Sequence, residues 1–140
     1  MAIHDELHID APIERVWELT VDVERWPELT STVRSVERLD DGPFGLGSRA
    51  RISQPRQRPT VWTVTRFEPP HAFEWETSVL GARLVGTHHL AVEGEGCRNV
   101  LGVEVADTLA GRAVRHLLGS MMHRAIRTEN EGFKAAAERA

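Results

Sequence analysis

The last thirty or so residues most constrain how this chain can fold. From Leu109 to Glu138 the apolar side chains recur at helical spacing, which predicts one long helix. At 100° per residue, Ala110, Val114, Leu117, Leu118, Met121, Met122, Ala125, Phe133 and Ala136 share one broad face. Arg112, His116, His123, Arg127 and Lys134 fall roughly opposite. A helix of this length with one apolar face needs a second layer of matching extent to cover it.

The preceding residues supply that layer. Turn signals at Asp40-Asp41-Gly42-Pro43, Gln54 to Pro59, Glu68-Pro69-Pro70, Gly81 and Gly94-Glu95-Gly96 separate runs of strand length. Residues 2–10 read as a first strand. Later strands are expected at about 32–39, 47–54, 60–67, 72–80, 83–93 and 98–107. Between the first strand and the rest, Pro12 suits the opening turn of a helix, and Ile13, Val16, Trp17 and Thr20 give that helix an apolar face. Asp22 is expected to cap a second short helix ending near Pro27. The predicted class is α+β: a curved antiparallel sheet of about seven strands wrapped around the long helix, with two short helices after the first strand.

The stretch from Ile9 to Leu29, IDAPIERVWELTVDVERWPEL, combines a strand end, Asp-Ala-Pro, a short amphipathic helix and a Trp-Pro turn. It resembles the opening of the START-like, Bet v 1-like (SRPBCC) superfamily, in particular its polyketide cyclase/dehydrase branch. Gly45-Leu46-Gly47-Ser48-Arg49, Trp62-Thr63-Val64 before Glu68-Pro69-Pro70, and Phe73-Glu74-Trp75 extend the likeness over nearly the whole chain. The resemblance implies a helix-grip fold, one domain over residues 1–140, and a cup for a small hydrophobic ligand.

Composition sets limits. A net charge of −4 without a basic run gives nucleic acid no electrostatic footprint. The single cysteine, Cys97, cannot form an internal disulfide and fits a reducing compartment. No apolar run of spanning length appears, so stable membrane insertion is not expected and a cytoplasmic location is. The reading leaves a homodimer open.

Hairpin turns give a register. A two-residue turn at Gly81-Ala82 sets Trp75 opposite His88 and Phe73 opposite Leu90. A turn at Glu95-Gly96 sets His88 opposite Val103 and Leu90 opposite Leu101, and a four-residue turn at Glu68–His71 sets Val64 beside Trp75. The expected row across four strands is Val64, Trp75, His88, Val103, pointing toward the long helix. The parity of Arg49 and Arg51 is ambiguous.

The expected ligand cavity lies between sheet and long helix, lined by Trp62, Val64, Phe73, Trp75, His88, Leu101, Val103, Leu117 and Met121. His88, pointing inward among apolar groups, is the candidate acid/base or hydrogen-bond anchor, weighed against a plain core histidine. His89 points outward, and His116 and His123 lie two helical turns apart, roughly 10 Å, so no shared metal site is expected. No cofactor is implied. Glu129 falls near the centre of the helix's apolar face. It is expected to pair with Arg15 or Arg25, the alternative being a pocket carboxylate. Gly132, on the same face, would let the short helices approach closely.

Three functions fit. Binding of a small hydrophobic molecule (polyketide, quinone or lipid-like) comes first. The alternative, implied by the resemblance, is a polyketide aromatase/cyclase-type enzyme with His88 as base and an inward arginine such as Arg66 stabilising an enolate. A protein–protein interaction module comes third.

Overall fold

A computed structural model describes residues 2–139, so Met1 and Ala140 of the expected 1–140 domain lie outside the described residues. The chain runs β1 (Ala2–Ile9), α1 (Ile13–Val21), a 3-10 turn (Val23–Arg25), α2 (Trp26–Leu29), β2 (Ser35–Arg38), β3 (Arg49–Ser53), β4 (Thr60–Glu68), β5 (Ala72–Val79), β6 (Ala82–Glu93), β7 (Gly96–Val105) and α3 (Leu109–Glu138). The strands form one seven-stranded antiparallel sheet in the order β1-β7-β6-β5-β4-β3-β2. The thirty-residue helix packs on one face of it, against β1, β7 and β6. Alternation drives the layering: Ala50 and Ile52 of β3 are buried while Arg49 and Arg51 are exposed, and Arg51 pairs outward with Glu37 at 2.7 Å.

The helix ends differ from expectation in detail. Asp22 makes no side-chain cap; its carbonyl accepts from the Arg25 N–H instead. Pro27 opens α2 rather than closing a helix, where its missing N–H costs nothing. Thr108 caps α3 by accepting from the Gly111 N–H at 3.0 Å.

Two hairpin turns sit one residue earlier than predicted. The β5–β6 turn is Leu80-Gly81, both at positive φ (52° and 82°), so Val79 pairs with Ala82. Leu is a poor left-handed residue, which is why the turn is not evident at that position. The β6–β7 turn is Gly94-Glu95, so Glu93 pairs with Gly96. Gly96 serves a close approach instead: a Cβ there would stand 2.2 Å from the Ile9 carbonyl oxygen. Each moves the pairing by two residues, which keeps every inward side chain inward but changes its neighbours. The actual rows are Val64, Trp75, Gly86, Val103, Ile3 and Phe67, Phe73, His88, Leu101, Asp5. Trp75 therefore faces Gly86, not His88, and His88 faces Leu101, not Val103. The expected Val64–Trp75 pair is present.

A bulge between Val64 and Arg66 reverses the parity of β4. Arg66, inward by simple alternation, is thereby turned outward. It pairs with Glu68 and, at 3.2 Å, with Glu74. It has no place in an interior site.

The helix face also differs from a fixed wheel. The residues directed at the sheet advance in steps of four: Val114, Leu118, Met122, Ile126, Asn130. Each step overshoots a full turn by about 40°, so the buried stripe winds around the helix. Asn130 ends up fully buried, its amide donating to the Asp5 carboxylate at 3.0 Å and to the Asn99 carbonyl at 3.2 Å. Asn99 donates back to Asn130 at 3.0 Å, and Arg127 pairs with Asp5 at 3.0 Å. This network fixes the rotation of α3 over β1 and β7. Gly132 admits the α2 end: a Cβ there would stand 2.2 Å from the Leu29 carbonyl oxygen.

Candidate functional site

Between sheet and α3 the structure leaves a cavity of about 120 Å³. Its walls are indoles and aliphatic groups. Trp26 comes from α2, Trp62 from β4, Trp75 from β5, and Leu118, Met121, Met122 and Ile126 from α3. Three tryptophans gather here because the inward positions of β4 and β5 lie beside the short helix that carries Trp26. The Trp26 and Trp75 rings meet edge-on at 5.4 Å, and Trp62 and Trp75 lie 5.8 Å apart. Gly86 makes the close packing of these indoles compatible with an open interior. A Cβ at Gly86 would meet Trp75 at 3.2 Å and Trp62 at 3.3 Å. A glycine inside a strand marks such an approach, and that signal was available in the sequence.

Six expected lining residues, Trp62, Trp75, His88, Leu101, Val103 and Met121, border the cavity. Three do not. Val64 and Phe73 are buried in the packed core beside it, at 2% and 0% exposure. Leu117 turns to solvent at 71% exposure, because the winding stripe passes through Leu118. Trp26 of the Trp-Pro turn lines the cavity, as do Gly86 and Glu129.

Two titratable groups lie in this apolar wall. His88 is buried, and its imidazole stacks on Phe73 and packs against Trp26 at 5.3 Å. Its Nδ1 is fully covered and has no hydrogen-bond partner among the described residues. Burial pushes its pKa down to about 3, with a smaller contribution from neighbouring His89, so the ring is neutral at physiological pH. His89 itself is on the outer face, bonded to Glu74 at 2.7 Å.

Glu129 is the second group, and the expected ion pair is absent. Arg15 donates to the α3 carbonyls of Ala136 and Ala137, and Arg25 pairs with Asp22 and Glu28. The Glu129 carboxylate accepts from the Thr32 hydroxyl at 3.0 Å, which in turn lies 3.0 Å from the Thr30 hydroxyl. Desolvation pushes the Glu129 pKa up to about 7, partly opposed by the Thr32 bond. The polar wall is completed by Gln54, Gln57 and Thr60 from the β3–β4 segment, Thr60 accepting from the Trp62 N–H at 3.0 Å. No group of three His, Cys, Asp or Glu placed to hold a metal occurs among the described residues. No helix among them is long and apolar enough to cross a membrane.

Known proteins share this architecture. An aromatase/cyclase from Streptomyces sp. R1128, Zhui, superposes with a TM-score of 0.79 at 18% identity, covering 99% of this chain and 94% of that one. The allergen structure Ara h 8.0201 superposes at 0.69 with 13% identity over 96% and 98% of the two chains. These likenesses establish the helix-grip fold. A Streptomyces cyaneus protein named a polyketide cyclase is 51% identical over 59 residues, which is 42% of this chain; the match spans 38% of that relative's length. The family model described as polyketide cyclase / dehydrase and lipid transport matches residues 2–138, and the chain belongs to that family.

Proposed function

We propose that the cavity binds a small, mostly apolar molecule, of the size of one ring or of a fused pair whose second ring extends into the cavity's open mouth, carrying a polar group at the His88 or Glu129 end. The observation that carries this reading is an apolar interior space of about 120 Å³ with two desolvated polar groups in its wall. A dry protein cavity of about 150 Å³ takes up benzene, so the space suits a ring system better than an extended chain. Apolar walls with a few oriented polar groups are the common form of a small-molecule site. Polyketide-derived aromatics and quinones belong to this class, and the cyclase names among the relatives agree with it. Binding is tested by quenching of tryptophan fluorescence with 2-naphthol and by native mass spectrometry of protein purified from its own host. Saturable quenching supports the reading; absence of both quenching and co-purified mass removes it.

A second reading is catalysis of the aromatase/cyclase type. It is favoured by the opposite displacement of the two pKa values. Near neutral pH, His88 is an uncharged base and Glu129 samples both acid and carboxylate forms. Glu129 can remove a proton beside a carbonyl as carboxylate and protonate a departing hydroxyl as acid, while neutral His88 orients the substrate by hydrogen bonding. The discriminating measurement is turnover of a confirmed substrate by His88→Ala and Glu129→Gln. Unchanged turnover in both ends this reading while leaving binding intact.

A further inference from the structure

A second site lies apart from the cavity, in an open groove between edge strand β1 and the first half of α3. It is bordered by His4 on the strand and by Arg115, Ser120, His123 and Arg124 on the helix. Among the described residues no carboxylate lines it. Asp5 is engaged by Arg127 and Asn130, and Asp107 by Arg112, while Glu104, the cross-strand partner of Ala2, is exposed and does not line the groove. The stretch of α3 from Leu109 to Thr128 contains no acidic residue at all.

Arg115 carries the argument. Its Nη1 is fully covered and has no hydrogen-bond partner among the described residues. That nitrogen is closed to the groove, but Arg115 borders it and its side chain makes no hydrogen bond or ion pair among the described residues, so its remaining N–H groups are free for an acceptor from outside the chain. Around it stand a second guanidinium, two imidazoles and a hydroxyl, all able to donate hydrogen bonds, facing one solvent-filled space. The floor is also open at this point. A Cβ on Gly119 would touch only the Arg115 Cγ and the Ile3 Cδ1, each at 3.9 Å, so nothing fills the groove there. β1 is one of the sheet's two edge strands, and the outer side of its backbone has no ladder partner among the described residues.

We propose that this β1–α3 groove binds a phosphate-type oxyanion, with Arg115 as its central donor and Arg124 at its rim. Planar, bidentate recognition of phosphate is what an arginine fork provides. The anion can be a free phosphate or phosphomonoester, or the headgroup of an anionic lipid, since the contacting chemistry is the same.

The test is a titration of the intact chain with inorganic phosphate at constant ionic strength, followed by backbone amide NMR. Saturable shifts at Gly119, Ser120 and His4 are expected, with affinity reduced tenfold or more in Arg115→Met and severalfold in Arg124→Gln. Gly119→Glu places a competing carboxylate beside Arg115 in a position with room for it. It should abolish phosphate binding without lowering the melting temperature, which keeps the test decisive if Arg115→Met folds poorly. Co-sedimentation with phosphatidylcholine vesicles, with and without phosphatidic acid, separates the sources. Phosphate binding without vesicle binding assigns a soluble anion, and phosphatidic-acid-dependent binding lost in Gly119→Glu assigns a headgroup. Non-saturating shifts with no vesicle binding, or affinities unchanged in Arg115→Met and Gly119→Glu, overturn the proposal.

Discussion

The imidazole of His88 lies parallel to the ring of Phe73, with centroids 4.9 Å apart and 4° between the planes. The two residues are directly paired across β5 and β6. With Trp26 and Phe133 on its other sides, His88 occupies an aromatic box that gives its Nδ1 no hydrogen bond. A polar group held this way is an uncompensated cost to the fold.

Replacing His88 with Leu should therefore leave stability unchanged or raise it by about 1 kcal/mol. Removing an unsatisfied buried nitrogen gains ~1–3 kcal/mol, and losing the stack forfeits ~0.5–1.5. Ligand affinity should fall at least tenfold. Urea denaturation and naphthol quenching, measured on the same protein, separate the two effects; a variant destabilised by several kcal/mol with full affinity would contradict the assignment.

The same residue sets an acid limb. The unfolded chain takes up a proton at His88 near its ordinary pKa of 6.5, whereas the folded protein takes it up only near 3. Between these values the unfolded state binds more protons, so stability falls as pH drops from 6.5 toward 3. His88→Leu should flatten that part of the curve in urea melts at stepped pH.

Glu129 acts in the opposite sense. Its folded pKa of about 7 exceeds the ordinary 4.5, so between these values the folded state binds the extra proton. Its contribution is fully present below pH 4.5 and is lost as pH rises through 7. Glu129→Gln should match the wild type near pH 5 and exceed it in stability near pH 8. Equal pH profiles for both proteins would show that the carboxyl is not desolvated.

Gly86 should govern the cavity directly. A single added carbon already crowds Trp75 and Trp62, and the branches of valine must push both indoles into the open space. Gly86→Val is expected to abolish naphthol binding and to cost ~1–3 kcal/mol from overpacking. Gly86→Ala should show a weaker form of both changes.

Asn130 is predicted to be the most sensitive position on α3. Asn130→Leu removes three donated contacts, to the Asp5 carbonyl, the Asp5 carboxylate and the Asn99 carbonyl, and the acceptor for the Asn99 amide. A loss of about 3 kcal/mol in urea denaturation is expected, because acceptors left dry carry their desolvation penalty. Arg127→Gln, at the exposed end of the same network, should cost clearly less.

Much of the site was readable because parity survives a two-residue slip. Trp62, Trp75, His88, Leu101 and Val103 are inward under either register, and all border the cavity. Their neighbours were not readable, since turn position depended on Leu80 accepting a left-handed backbone and on Gly96 serving contact rather than turning. Arg66 escaped the reading because one bulge residue reverses every orientation beyond it.

Periodicity and turn chemistry alone determine the element order, the layer pair and which side of each strand is apolar, because these are local properties repeated along the chain. The tertiary structure decides what those faces meet. It turns Leu117 out and Asn130 in, since a stripe advancing in steps of four winds around α3. It also leaves Glu129 beside Thr32 without an ion pair, and the Arg115 Nη1 without an acceptor, among the described residues. Desolvation and pairing depend on groups far apart in sequence, so the chemistry of both sites exists only once the sheet and α3 have closed on each other.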